Sequence, residues 1–248
     1  MPLSGCLLNM PLVIIPTYNE LENVEAIIRA VHSLSDGFHV LIVDDGSPDG
    51  TADVVRKLQK TDFPETLHLL ERKGKLGLGT AYIAGFRWGL ERHYEYFFEM
   101  DADFSHDPND LPRLLAKCRD EGADVSVGSR YCRGGRVKDW PMDRIVLSRG
   151  ASLYTSLILW MPVADPTAGF ICYRRRVLEA IDLDRIKFIG YAFQIEMKYT
   201  AYRLGFKVKE VPITFKDRIK GQSKMSLHII REAMLGVIQM RFRKVRRK

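Results

Sequence analysis

Cysteine is scarce in this chain of 248 residues, and its four copies are scattered. No two of them have the CxxC spacing of a zinc or redox motif, which argues against a zinc site or a disulfide framework and fits a reducing compartment. The N-terminal stretch has no basic region followed by a long apolar segment, so we expect no signal peptide. Together these features predict a cytoplasmic protein.

Long apolar runs are also missing. The best candidate for a membrane span, residues 145–163, is interrupted by Ser148, Arg149, Ser152 and Ser156, whereas a span needs about 20 mostly apolar residues. We therefore expect an amphipathic or partly buried helix there. The sequence has no internal repeat, low-complexity tract or linker that would divide it into two globular domains.

The overall charge is +7, from 38 basic and 31 acidic residues. Such a balance suits nucleic acid, an anionic membrane or a phosphorylated substrate as partner. A nucleic-acid-binding module would interleave aromatic stacking residues with basic ones, and this pattern is not found, so we expect no nucleic-acid partner. Hydrophobic residues make up 46% and charged residues 28% of the chain, which is typical of a globular protein rather than a disordered one.

Short apolar runs alternate with helical patterns of ~10–15 residues, which predicts an α/β protein with a mostly parallel sheet. A long loop, residues 129–143, follows the fifth strand. The predicted strands are Leu12–Ile15, Val40–Val43, Leu67–Leu70, Tyr94–Phe98, Val125–Val127, Phe170–Tyr173 and Val208–Val211. The first predicted helix is capped by residues 19–23 and runs to residue 35. The other predicted helices cover residues 49–60, 80–91, 108–122, 144–160, 193–204 and 226–245.

Polar residues follow three of these strands. Asp101 and Asp103 come directly after the fourth, Asp44 and Asp45 end the second, and Pro16 to Tyr18 end the first. Ligands of such sheets bind beyond the carboxyl ends of the strands. Two aspartates one residue apart can converge on Mg²⁺ or Mn²⁺, which prefer carboxylates together with phosphate oxygens. The pattern favours an enzyme that holds a diphosphate, although a solvated acidic turn would also fit the Asp-x-Asp pair alone.

Residues 16–20 (Pro-Thr-Tyr-Asn-Glu), 43–51 and 100–103 (Met-Asp-Ala-Asp) resemble the family 2 glycosyltransferases. Further segments at 128–131, 148–150, 165–170 and 221–225, in this order, resemble the dolichol-phosphate (polyprenyl-phosphate) mannose synthases of the soluble type, without a transmembrane domain. The similarity runs from about residue 12 to residue 226. The resemblance implies a GT-A fold, with residues 1–225 as the catalytic domain and residues 226–248 as a C-terminal amphipathic helix and basic tail.

The resemblance also implies roles for individual residues. The nucleotide-sugar pocket would be lined by Pro16, Tyr18, Glu20, Val43, Asp44, Asp45, Ala102 and Asp103. Asp101 and Asp103 would hold the metal, with Ser105 as a third candidate where some relatives have the longer Gln, while His106 is better explained as a turn residue. The acceptor phosphate would be bound by Arg130, Arg144, Ser148, Arg149, Arg218 and Lys224. Asp101, Asp103 and Arg130 are the expected catalytic residues.

The activity implied is transfer of mannose from GDP-mannose to a polyprenyl (dolichyl) phosphate with inversion. A polyprenyl-phosphate glucose or aminosugar synthase that uses a UDP-sugar would have a similar sequence and stays an alternative. An inactive scaffold is a third interpretation. The presence of both carboxylates of the Asp-x-Asp pair argues against it. The soluble type works with membrane subunits in some organisms, so such a subunit is a candidate partner here.

The C-terminal end admits two interpretations. Leu227, Ile230, Met234 and Ile238 repeat at helical spacing, and residues 241–248 contain six basic residues. A basic amphipathic end can lie on anionic lipid, which predicts a peripheral protein on the cytosolic face of a membrane. A helix that packs on the protein core, followed by a basic tail, explains the same pattern.

Overall fold

The computed structural model describes residues 9–217 and 227–248. Its strands are β1 (Pro11–Thr17), β2 (His39–Asp44), β3 (Leu67–Glu71), β4 (Tyr96–Glu99), β5 (Val125–Ser129), β6 (Arg136–Lys138), β7 (Ile171–Arg174), β8 (Val208–Pro212) and β9 (Thr214–Lys216). Its helices are α1 (Val24–His32), α2 (Thr51–Thr61), α3 (Leu78–Glu91), α4 (Leu111–Arg119), α5 (Met142–Leu159), α6 (Arg175–Ala180), α7 (Tyr191–Arg203) and α8 (Leu227–Phe242).

Seven strands form one sheet in the order β3-β2-β1-β4-β7-β5-β8. Strand β7 runs antiparallel to both of its neighbours, and the other pairings are parallel. In the register, Thr17 lies opposite Asp44, and Ile14 lies opposite Glu99. The carboxyl ends of β1, β2 and β4 therefore lie side by side at one edge, which confirms the expected mostly parallel sheet.

Both faces of the sheet are covered, because alternate residues of each strand point to opposite sides. On one face, Val13 and Ile15 pack with buried residues of α1, α2 and α4. On the other face, Leu12 and Ile14 pack with buried residues of α3, α6 and α7. The continuous apolar strands in the sequence are explained by this burial on two sides.

A third apolar cluster joins α5, α7 and α8. Leu159 of α5, Ile195 and Tyr199 of α7, and Val237 and Met240 of α8 are all buried in it. Helix α8 thus packs on the body of the protein along one side. Within the two described ranges, no helix is both long enough and apolar enough to cross a bilayer.

The predicted elements differ from the structure mainly after residue 129. The expected loop 129–143 contains β6, which pairs in parallel with β9 to form a separate two-stranded sheet. The expected helix from residue 108 begins with a 3-10 turn, Pro108–Asp110, before α4. The remaining boundaries agree to within a few residues. Helix α1 begins at Val24 directly after its N-cap Asn23, which lies in the predicted cap, and Asn19 in the turn before it has a positive φ of 59°.

Candidate active site

Asp44 is tied into the loops that follow β1 and β2. Its side chain is buried, and it accepts hydrogen bonds from Thr17 Oγ1 at 2.9 Å, Ser47 N at 2.9 Å and Ser47 Oγ at 2.6 Å. The carboxylate therefore fixes the shape of the pocket edge. Val43 beside it is fully buried in the sheet, so only its backbone can face a ligand.

Asp45 lies next to a basic loop that follows β3, residues 72–77, which we call the donor loop. Arg72 Nε is 2.9 Å from Asp45 Oδ1, and both side chains are about nine-tenths buried. Arg72 also donates to Thr80 Oγ1 at 2.9 Å. Further along the loop, Lys75 Nζ lies 4.8 Å from the centre of the Tyr18 ring. Tyr18, Asp45 and the donor loop thus enclose one region of the sheet edge.

The predicted pocket residue Glu20 lies in a turn that is closed by capping contacts. Its backbone N–H donates to Thr51 Oγ1 at 3.1 Å, and its carboxylate accepts from Asn23 Nδ2 at 3.0 Å. Asp49 accepts from Leu21 N at 3.1 Å and from Thr51 N at 3.0 Å. Asp49 therefore has a capping role at the start of α2, and Glu20 is held beside it near Tyr18.

Asp101 and Asp103 lie in a tight turn after β4. The Asp101 side chain is 42% exposed, and its backbone N–H donates to His106 Nδ1 at 3.2 Å. Asp103 Oδ1 accepts from the backbone N–H of Ser105 at 3.0 Å. His106 is buried and stacks on Phe170 at 4.9 Å between ring centres. Burial lowers the pKa of His106, so the ring is neutral and acts as the acceptor that shapes the turn.

The donor set of this turn fits a hard divalent cation that is shared with a substrate. In the described part of the chain, no three His, Cys, Asp or Glu side chains are grouped closely enough to hold a metal by themselves. Asp101 and Asp103 supply carboxylate oxygens, and Ser105, which is buried beside them, carries a hydroxyl. Mg²⁺ typically uses one or two carboxylates together with substrate phosphate oxygens, and this site has that composition. The buried methyl of Ala102 occupies the position between the two aspartates.

Arg130, directly after β5, is fixed by a buried carboxylate. Its Nε is 2.7 Å from Asp165 Oδ2, and its Nη2 is 2.7 Å from Asp165 Oδ1 and 2.8 Å from Thr167 Oγ1. The Arg130 side chain is 9% exposed and Asp165 is fully buried. The Arg130 guanidinium lowers the pKa of Asp165 against the effect of burial. The bidentate pair aims Arg130 rigidly and leaves its Nη1 outside the ion pair.

The other predicted acceptor residues lie on α5. Arg144 and Ser148 are one helical turn apart, and Ser152 follows on the same face, where its hydroxyl is 3.2 Å from Thr167 Oγ1. Arg144 donates to Asp217 at 2.8 Å and stacks on Trp140, with 3.8 Å from its guanidinium carbon to the ring centre. Arg149 lies 5.5 Å from the centre of the Tyr131 ring, which Arg130 also approaches at 5.0 Å.

Aromatic rings connect the arginines to the acidic turn. Phe215 of β9 lies 5.4 Å from His106 and 5.5 Å from Trp140 between ring centres. Arg130 lies 5.6 Å from the centre of Phe215. Arg130 and Arg144 therefore adjoin the turn with Asp101 and Asp103 through these rings.

A buried ionisable pair lies beneath this site. Burial raises the pKa of Glu99, the last residue of β4, to about 8. Burial lowers the pKa of Lys198 of α7 to about 7, opposed by the charge of Glu99. Lys198 Nζ donates to the carbonyl oxygen of Ala168 at 2.5 Å. The lysine thereby supports the segment that carries Asp165 and Phe170.

The sequence prediction missed several residues that build the site. Asp165 belongs to a motif noted in the sequence, but its pairing with Arg130 joins positions 35 residues apart and leaves no local signal. Trp140 and Phe215 come together only through the pairing of β6 with β9. The donor loop was visible as a basic, glycine-rich segment after a strand, which was the available signal for Arg72 and Lys75. Arg218 and Lys224 lie outside the described residues.

The sheet, its helical layers and the acidic turn after β4 define a GT-A glycosyltransferase fold. The solved structures that resemble it include glucosyl-3-phosphoglycerate synthase from Mycobacterium tuberculosis with Mn²⁺, uridine diphosphate and glucosyl-3-phosphoglycerate, at a TM-score of 0.64 and 18% identity over 94% of this chain and 78% of that chain. The mannosyltransferase PcManGT from Pyrobaculum calidifontis, with GDP-Man and Mn²⁺, has a TM-score of 0.56 at 18% identity and covers 91% of this chain and 60% of that chain.

The chain belongs to glycosyl transferase family 2, whose model matches residues 12–182. It is 51% identical to polyprenol monophosphomannose synthase of Mycolicibacterium smegmatis over 228 residues, which cover 92% of this chain and 85% of the relative. It is 47% identical to undecaprenyl-phosphate mannosyltransferase of Micrococcus luteus over 226 residues, which cover 91% of each chain. The resemblance to polyprenyl-phosphate mannose synthases is thereby confirmed.

Proposed function

We propose that the protein transfers mannose from GDP-mannose to a polyprenyl phosphate with inversion at the anomeric carbon. The observation that carries the proposal is the continuous site in which the turn with Asp101 and Asp103 adjoins Arg130 and Arg144 through His106, Phe215 and Trp140. Such a site can hold a diphosphate and a second phosphate side by side. The two mannosyl-transferring relatives support mannose as the sugar and polyprenyl phosphate as the acceptor.

The donor would lie along the edge formed by β1, β2 and β4. Its nucleoside would lie between Tyr18, Asp45 and the donor loop, and its diphosphate would extend toward Asp101 and Asp103. A bound Mg²⁺ or Mn²⁺ would neutralise the charge that develops on the leaving diphosphate. The Mn²⁺ found with GDP-Man in the mannosyltransferase of similar fold supports this arrangement.

The acceptor needs positioning more than activation. A phosphate monoester has a second pKa of about 6 and is largely a dianion at neutral pH, so it is nucleophilic without a side-chain base. One of its oxygens would attack the anomeric carbon as the bond to the diphosphate oxygen breaks on the opposite side. Arginine binds phosphate through its guanidinium N–H groups. Arg130 would offer Nη1, because its Nε and Nη2 hold Asp165 and Thr167. The remaining contribution is electrostatic and geometric.

A prenyl acceptor brings the site to a bilayer, and two helices offer the contact surface. On α5, the exposed side chains Met142, Val146, Leu153 and Leu157 follow helical spacing along one face, and Trp160, directly after the helix, is exposed as well. On α8, the exposed side chains Leu235, Ile238 and Phe242 do the same.

The two faces are continuous, because Tyr154 Oη donates to the carbonyl of Met234 at 3.1 Å and Arg241 lies 4.2 Å from the centre of the Trp160 ring. An apolar surface of this kind with basic residues at its border suits peripheral insertion into the headgroup region. Arg144 and Arg149 on α5 would then lie near the lipid phosphates.

The test is to incubate the purified protein with a polyprenyl phosphate, Mg²⁺ or Mn²⁺, and in turn GDP-mannose, UDP-glucose and UDP-N-acetylglucosamine, and to identify the lipid product by mass spectrometry. We expect a mannosylated lipid phosphate from GDP-mannose only, and none in EDTA. If lipid product forms only with a UDP-sugar, the donor is that UDP-sugar and not GDP-mannose. The absence of lipid product from every donor would refute the proposal.

A further inference from the structure

The segment between α6 and α7 touches both the donor loop and α8. We propose that Glu196 of α7 is a positioning residue for the donor loop, acting through residues 187–189, and that Arg243 after α8 holds it in this role. The proposal rests on the proposed function, because it takes the donor loop to be part of the nucleotide site.

Glu196 is a buried carboxylate that accepts hydrogen bonds from backbone N–H groups through one oxygen and forms an ion pair with an arginine through the other. Its side chain is 2% exposed. Its Oε2 accepts from the backbone N–H groups of Lys187 at 2.9 Å and Phe188 at 3.0 Å. Its Oε1 forms an ion pair with Nη1 of Arg243, and Nη2 of the same arginine donates to the carbonyl of Arg185 at 2.5 Å. The residue pair therefore fixes the chain from residue 185 to residue 188.

Helix α8 also contacts this segment through a close approach. A Cβ added at Gly236 would lie 2.7 Å from Cε1 of Phe188, so the ring packs directly on the helix backbone. Only glycine allows this distance without displacing the ring. Arg243 and Gly236 thus hold the same short segment at two points, one polar and one apolar.

The next residue, Ile189, connects this segment to the donor loop. The carbonyl of Ile189 accepts from the backbone N–H of Gly79 at 2.9 Å, at the start of α3. A Cβ at Gly77, where φ is +101°, would lie 3.2 Å from Cβ of Ile189. The end of the donor loop is therefore seated on Ile189, and the loop's Arg72 and Lys75 lie against Asp45 and Tyr18.

The energetics favour Glu196 as the controlling group. Removing one partner of a buried ion pair leaves the other charge without compensation, which is strongly unfavourable. The segment that Glu196 holds would then move to solvate the remaining charge. Because Ile189 belongs to that segment, the donor loop would lose its packing contact with Ile189. Nucleotide affinity would then fall while the reacting groups stay in place.

The test uses the full chain and measures the dissociation constant of GDP with Mn²⁺ by calorimetry, with UDP as a second probe. The variants are Glu196→Gln, Arg243→Gln, their double variant and Gly236→Ala. Glu179→Gln is the matched control, because Glu179 forms its ion pair with Arg175 within α6, where its side chain is 51% exposed. Thermal unfolding establishes that each variant is folded.

We expect nucleotide affinity to fall about fivefold or more in each single variant and to be unchanged in Glu179→Gln. The double variant should bind no more weakly than the weaker single variant, because both substitutions break one ion pair. In turnover assays the donor KM should rise while kcat at saturating donor stays within about twofold, whereas a purely structural defect would lower kcat at constant KM.

Unchanged nucleotide affinity in folded Glu196→Gln and Arg243→Gln would overturn the inference. If Glu196→Gln does not fold, Gly236→Ala and Arg243→Gln decide the question by the same measure. A wild-type protein that binds neither GDP nor UDP would instead refute the proposed function, and the inference with it. If the wild type binds nucleotide and the variants bind it equally well, only the inference about Glu196 fails and the proposed function stands.

Discussion

Arg130 combines a buried ion pair with a proposed role in binding the acceptor phosphate. Its side chain pairs with the fully buried Asp165 through two 2.7 Å contacts, while Arg144 is partly exposed and pairs with a partly exposed Asp217. Both arginines belong to the proposed acceptor site. Their substitution should nevertheless have different consequences, because only Arg130 leaves a buried charge behind.

We expect Arg130→Ala to lower the free energy of unfolding by about 3–5 kcal/mol, and Arg144→Ala to lower it by about 1 kcal/mol or less. Urea unfolding of both variants measures this difference. In kinetics, Arg144→Ala should raise the acceptor KM and leave the dissociation constant of the donor unchanged. A loss of donor affinity with an unchanged acceptor KM would move Arg144 out of the acceptor site.

Asp103→Asn should remove most turnover, because an amide is a weaker ligand than a carboxylate for a hard cation. Stability should change little, since Asp103 is partly exposed and the amide oxygen can still accept from Ser105. Asp120→Asn, at a surface position 55% exposed in its side chain, is the control. Full turnover of Asp103→Asn in metal-free buffer would exclude the metal role.

The sequence motifs predicted most of these residues, but not how they are used. The polar residues after β1, β2 and β4 could be located because a strand end is a local signal. The use of Asp44 as an internal acceptor, and the pairing of Arg130 with Asp165, depend on contacts between distant segments. Such contacts follow from the packing of the sheet and have no spacing that a sequence pattern could reveal.

At the scale of elements, α5 and α8 present the surface that we assign to the membrane. Leu157→Glu and Phe242→Glu should each weaken flotation with anionic liposomes, because a charge then replaces an exposed apolar side chain. Leu21→Glu introduces the same charge at a side chain 44% exposed in the turn before α1, and it should float like the wild type. Equal flotation of all three variants would refute the assignment.

The basic tail is partly engaged by the protein itself. Arg243 pairs with Glu196, and Arg247 donates to the carbonyl of Leu204 at 3.2 Å. A truncation would therefore disturb the body as well as the charge. Neutralising Lys244 and Arg246 to Gln should weaken liposome binding, most at low salt, whereas Lys57→Gln with Lys60→Gln on α2 should not. Flotation across a salt series measures both double variants.

The order of elements could be predicted up to β5, where each strand is followed by a helix and the apolar period is clear. Beyond that point β6 and β9 are too short for a periodic signal, and their pairing joins positions nearly 80 residues apart. Strand β7 is inserted between β4 and β5 and runs antiparallel to both. An apolar run does not encode its direction, so this feature was not predictable.

The whole molecule should lose stability in mild acid. Burial lowers the pKa of His32, His39 and His68, the last to about 4, and Tyr94 Oη lies 2.8 Å from His39 and 3.2 Å from His68. Below the ordinary histidine pKa of about 6.5, these three histidines bind protons in the unfolded chain, whereas the same rings stay neutral in the folded protein until a lower pH. Stability is therefore complete above that value and falls as pH decreases toward the folded pKa values. Urea unfolding at about pH 7.5 and about pH 5 should show the fall, and His68→Gln should reduce it.

Strand β7 also bears on how the chain acquires its structure during synthesis. Among the described strands, β5 pairs with β7 and β8, which both come after it in the chain, while β4 is its predecessor but not its neighbour. A nascent chain that has reached residue 165 can assemble β3, β2, β1 and β4, yet its β5 has no edge to join. Val125 and Val127 then stay uncovered until Ile171–Arg174 leaves the ribosome. The first half of the sheet can thus form vectorially, whereas β5 must wait for β7 before it joins the sheet, and β8 is added to it last.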